Sequence, residues 1–86
     1  MPEVSRFFGI CIIFYYNDHA PPHFHATYEG DKAVFDIHTL QMTEGRISNR
    51  ARGLVVEWAA QHREELLAAW ENARIGVRPA KIEPLH

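Results

Sequence analysis

The chain lacks what several classes of protein require. Its one cysteine, Cys11, has no partner for an internal disulfide, and a four-cysteine zinc site is impossible. The longest apolar run, Phe7 to Tyr16, falls well short of the roughly 20 residues that a membrane-spanning helix needs. No charge of one sign dominates: the net charge of −2 exerts no global pull toward nucleic acid or a membrane. Internal repeats and low-complexity segments are absent. The opening Met1-Pro2-Glu3 has no basic run leading into an apolar stretch, so a cytoplasmic location is expected for a small domain without disulfides. What is present is 86 residues, 47% of them apolar and 12% aromatic. That suffices for one packed domain and excludes a disordered chain.

The distinctive stretch follows Asp18: His19-Ala20-Pro21-Pro22-His23-Phe24-His25-Ala26 holds three of the six histidines around a stiff Pro-Pro step. Histidine is the commonest metal ligand and titrates near neutrality, so this segment is the candidate site. It lies between two β-like runs. Residues 7–16 are β-branched and aromatic on both alternating faces, which predicts a central strand buried on both sides, with only Gly9 interrupting. Residues 23–29 and 32–38 flank Gly30-Asp31, an acceptable two-residue hairpin turn.

Centring the turn there pairs Tyr28 with Ala33, Ala26 with Phe35 and Phe24 with Ile37 on an apolar face. The other face pairs Thr27 with Val34, His25 with Asp36 and His23 with His38. His23 and His25, at i and i+2, then project together, an efficient start for zinc or another divalent transition metal, including non-haem iron. His19 or Asp18, brought back by the Pro-Pro turn, supplies the third ligand in this reading. Asp36 is a ligand or the carboxylate that orients an imidazole, and His38 is a further candidate. A metal-free alternative stands beside it, with turn histidines capping backbone groups and a His–Asp pair making a plain hydrogen bond. Catalysis without metal would use His23 or His25 as base, but a nucleophile is missing: Cys11 in an apolar strand is inert.

Residues 39–47 fit a further short strand or a two-strand excursion with a turn near Glu44-Gly45. From Ser48 the pattern turns helical, with Leu54, Val55, Trp58, Ala59, His62, Leu66, Trp70 and Ala73 at steps of three and four. Ser48 or Asn49 serves as N-cap and Gly76 as stop. A single helix over 49–75 would run ~40 Å, against a radius of gyration of about 12 Å for a domain this size. A break near Gln61-His62-Arg63 is therefore expected, which puts Glu64 and Glu65 in a first helical turn where the dipole favours them. Gly53 inside the helix marks a close approach to the sheet. Arg46, Arg50 and Arg52, with no acid between residues 45 and 56, form a basic patch. Its two readings are a solvated helix end and an anion-binding surface for phosphate, a nucleic acid backbone or an acidic protein.

Further segments resemble a known family. They are Pro2-Glu3-Val4-Ser5-Arg6-Phe7-Phe8-Gly9-Ile10, the Asp18-His19-x-Pro21-Pro22-His23-Phe24-His25-Ala26 stretch, and Glu57-Trp58-Ala59 with His62-Arg63-Glu64-Glu65-Leu66-Leu67 and Trp70. Together they are similar to domain-of-unknown-function family 4160, over nearly the whole chain. The resemblance implies a small, mostly prokaryotic, stand-alone α+β protein, loosely associated with toxin–antitoxin-like gene pairs. It supplies no activity, substrate or ligand set.

The expected fold is α+β: a three- or four-stranded, mainly antiparallel sheet packed on a bent C-terminal helix or helix pair. One domain spans residues 1–86, with a β-rich half at 1–47, a helical half at 48–76 and an extended, partly mobile tail at 77–86. The functional expectation is a regulatory or interaction module with a histidine site formed from His19, His23, His25, Asp36 and His38, working with a protein partner or as a homodimer. The alternatives are a small metal- or His-dependent hydrolase or nuclease, and a metal-free binding domain; whether the chain is an enzyme is open.

Overall fold

The computed structural model describes residues 1–86. Five strands come first: β1 (Glu3–Phe7), β2 (Ile10–Ile13), β3 (His23–Tyr28), β4 (Asp31–Asp36) and β5 (Met42–Gly45). Helices α1 (Asn49–Gln61) and α2 (Arg63–Arg74) follow. The strands form one antiparallel meander in the order β1-β2-β3-β4-β5. The α+β expectation holds, with five strands in place of three or four.

The extra strand comes from the apolar run at 7–16, which is not one central strand. Phe8 (φ 50°) and Gly9 (φ 82°) both take left-handed backbone and fold the run into a tight hairpin. The pair is the sequence-adjacent positive-φ combination that a type I′ turn demands. The β3–β4 turn repeats the device with Glu29 (φ 49°) and Gly30 (φ 85°), so Asp31 already belongs to β4. The predicted register is therefore off by two residues: His23 faces Asp36, His25 faces Val34 and Ala26 faces Ala33. Because side chains alternate with period two, a slip of two leaves every residue on its predicted face. Phe24, Ala26, Ala33, Phe35 and Ile37 are accordingly buried in the core.

Helix α1 lies over that apolar face. Its Trp58 is fully buried, 5.2 Å from the Phe7 ring and edge-on to Phe24 at 6.1 Å. The Ser48 hydroxyl accepts from the Ala51 amide and caps the helix start. The expected break falls at His62, between α1 and α2, and Glu64 and Glu65 occupy the first turn of α2. The α2 end is a Schellman cap. The Gly76 amide (φ 84°) donates to the Ala73 carbonyl, and the Val77 amide to that of Asn72.

The tail is extended but docked. The Ile82 amide donates to the Val4 carbonyl and the Trp58 indole to the Glu83 carbonyl (each 2.8 Å), with Ile82 and Pro79 buried. Gly53 does not approach the sheet. It sits exposed, and a Cβ there would meet nothing within 4 Å. No helix is long and apolar enough to cross a membrane.

Candidate metal centre

The candidate site forms where β2 ends, a loop reverses, and β3 begins against α2. The Phe14 amide donates to the Pro2 carbonyl at one end of the loop, and the Asn17 amide to the Ala73 carbonyl of α2, both at 3.0 Å. Asn17 takes left-handed backbone (φ 58°), which asparagine tolerates, and this turns the chain so that Asp18 points back at β3. The Ala20–Pro21 peptide bond is cis. On β3, alternation projects His23 and His25 to the outer sheet face while Phe24 enters the core.

Three side chains meet there. Asp18 Oδ2 lies 2.8 Å from His23 Nε2 and 3.7 Å from His25 Nε2. One ligand atom from each of the three lies within 4.8 Å of the others. In a tetrahedral zinc site with bonds of about 2.05 Å, ligand atoms stand ~3.3 Å apart; the two observed gaps bracket that value. His23 is oriented from behind. Its Nδ1–H donates to the Pro21 carbonyl at 2.7 Å, and its ring packs 4.9 Å from that of Trp70. A backbone carbonyl only accepts, so Nδ1 carries a proton. Nε2 faces the Asp18 carboxylate, which likewise only accepts, so His23 donates from both ring nitrogens. Tyr15 sets its ring edge-on to His25 at 4.5 Å.

The electrostatics run in one direction. Burial pushes the Asp18 carboxyl up, but the His19 amide, the His23 hydrogen bond and the neighbouring imidazoles outweigh it. Asp18 is held below its ordinary value and stays a carboxylate. Burial, then the proximity of His23, pulls His25 below its ordinary value and favours the neutral ring that a metal needs. His25 Nε2 is buried and has no hydrogen-bond partner.

The other predicted residues stand apart from this trio. His19 donates its backbone amide to Asp18 Oδ1, but its side chain is 95% exposed, with Nδ1 3.6 Å from that same oxygen. Asp36 sits opposite His23, not His25, and its Oδ1 is taken by the amides of His38 and Thr39 in a turn after β4. The His38 side chain is exposed beyond the strand end. Asp18 replaces these as the carboxylate; its place just ahead of the Pro-Pro step was the legible sign. A groove of about 230 Å³ opens beside His23, bounded by His19, Pro21, Asp36, Thr43 and Glu44.

Elsewhere, Cys11 is half-buried on the outer sheet face, opposite Arg6 and Thr27, and offers the site no nucleophile. Arg46, Arg50 and Arg52 are all exposed around the start of α1.

Comparison with curated proteins and with solved structures finds no match. A family model does match, over residues 9–71, a span that takes in Asp18, His23, His25 and most of both helices. The chain belongs to the family described as Domain of unknown function (DUF4160).

Proposed function

We propose that the protein is a small metal-binding interaction module in which Asp18, His23 and His25 hold a divalent first-row transition ion. One observation carries this reading: the buried, partnerless His25 Nε2, directed toward the carboxylate oxygen that His23 also faces. An orphaned buried polar atom costs about 1–3 kcal/mol, and a cation among the three groups removes that cost. Two imidazoles and one carboxylate suit zinc or ferrous iron once an ion displaces the Nε2 proton that His23 gives Asp18, and three protein ligands leave coordination positions unfilled. His19, exposed at the groove's rim, is a candidate for one of them.

The groove also supports a binding role over a catalytic one. At about 230 Å³ it is smaller than the ~300–1,000 Å³ usual for small-molecule pockets. It fits a partner's side chain or a small ion better than a whole substrate. A regulatory role alongside a protein partner in the cytoplasm agrees with this and with the lone cysteine.

The test is metal content of tag-free protein prepared without chelators, followed by titration with Zn²⁺ and Co²⁺. One ion per chain is expected, with Co²⁺ giving visible ligand-field bands. Binding should vanish in Asp18→Asn, His23→Ala and His25→Ala and persist in His38→Ala. Substoichiometric metal indifferent to His23→Ala and His25→Ala would sink the reading.

A further inference from the structure

Beyond its Ser48 cap, the start of α1 is built against its own stability. Arg50 and Arg52 lie in its first turns, where the positive end of the helix dipole repels cations, and no acid occupies the first turn to offset them. Gly53, the poorest helix former short of proline, sits on the exposed side with empty space around it, so packing does not require it. Arg46 and Lys32 adjoin this end, joined by the bond from the Arg46 amide to the Lys32 carbonyl at 3.0 Å. All four cations are exposed. None is neutralised: the arginines that form ion pairs are Arg6, with Glu3, and Arg74, with Glu71. Glu44 and Glu57 bound the stretch, and no acid falls between them. Local rules broken together at one place, without a packing gain, mark a surface shaped for something outside the chain.

We infer that this surface, comprising Lys32, Arg46, Arg50, Arg52 and Gly53, docks on the phosphate backbone of duplex DNA without reading its sequence. Charge complementarity names a polyanion. Three of the four cations are arginines, whose planar forks match phosphate oxygens. The convex end of a helix about 10–12 Å across fits a B-form major groove about 12 Å wide. No aromatic residue occurs from residue 43 to 57, so nothing there stacks unpaired bases. The missing side chain at Gly53, one turn beyond Arg50 on the same helix face, lets a backbone come close to the helix between the cations. The surface is separate from the Asp18–His23–His25 trio and does not depend on metal.

The experiment is fluorescence anisotropy of a labelled mixed-sequence DNA duplex titrated with the full chain at several salt concentrations. Log affinity should fall against log salt with a slope of about −0.9 per phosphate neutralised, so about −3.6 for four. Arg46→Ala, Arg50→Ala and Arg52→Ala should each make that slope shallower by about 0.9. Gly53→Gln should raise the melting temperature, since glutamine is the better helix former, and still weaken binding several-fold. Asp18→Asn should bind like the natural sequence. Three results overturn the inference: no salt-dependent binding, affinity unchanged in the triple arginine variant, or affinity unchanged in Gly53→Gln. Displacement by polyglutamate as readily as by unlabelled duplex would assign the surface to an acidic polypeptide instead.

Discussion

The loop that carries Asp18 and the start of α1 handle charge in opposite ways. Asp18, His23 and His25 are half-buried and nearly all their polar atoms are engaged: Asp18 accepts from an amide and faces two imidazoles, and His23 uses both ring nitrogens. A single nitrogen, on His25, is left over. At and beside the helix start, four cations are exposed and none is paired. The first arrangement suits a small ion that must shed its water; the second suits a large, hydrated polymer whose counterions are released on contact. Burial, more than residue type, separates the two.

The sharpest way to break this contrast is to remove a buried group. Asp18→Asn or His25→Ala should weaken Zn²⁺ binding at least 100-fold, about 2.7 kcal/mol, by isothermal titration; Arg50→Ala should leave it unchanged. If both classes of variant lose metal alike, the loop is not a distinct site. In the natural sequence, Zn²⁺ at about 100 times its dissociation constant should add ~2.7 kcal/mol to stability. The melting temperature should rise with it, and the rise should disappear in Asp18→Asn.

Acid should act first on the loop. The folded-state value of His25 lies below the ordinary 6.5, so on acidification the unfolded chain takes up a proton there first. Stability should therefore decline as pH falls below about 6.5, and level off for this group once the folded protein is protonated too. Asp18 lies below its ordinary 3.8, so its contribution is present above that value and is lost as pH falls further. Urea unfolding should give two successive acid losses, the first missing in His25→Phe. A profile unaltered by His25→Phe would mean that the buried ring is not what titrates.

The helix start responds to composition instead. Gly53→Ala should stabilise the fold by about 0.8–1.0 kcal/mol, at any pH, as read by thermal melting. Smallest is Arg50→Glu, a gain of about 0.3–1 kcal/mol at low ionic strength that fades in high salt. Loss of stability in either would show that these residues serve the fold.

How much of this was legible in the sequence depended on whether a rule was local. The faces of β3 and β4 were readable because alternation survives a two-residue slip, which is why His23 and His25 were correctly put on one side. The register was not, because the left-handed turn uses Glu29, a residue without turn character, beside Gly30. Phe8-Gly9 hid a hairpin inside a run that reads as one strand, since apolar content outweighs a lone glycine in any pattern. The break at His62 was legible because length set it: an unbroken helix could not fit a molecule whose radius of gyration is 11.5 Å. Asp18 was legible as a candidate third ligand, but the choice of Asp18 over Asp36 rests on non-local contacts. The Asn17–Ala73 bond aims the loop, and the amides of His38 and Thr39 hold Asp36 elsewhere.

The docked tail has a consequence for assembly. A meander has two outer strands, and each is a template on which another chain can add a strand. Here the bond from Ile82 to Val4 occupies the middle of the β1 border, while β5 has no such neighbour. Growth from both borders would propagate into a fibre; growth from one ends when two copies have paired. The docked tail thus occupies the β1 border at Val4, so that a strand added from another chain would meet β5.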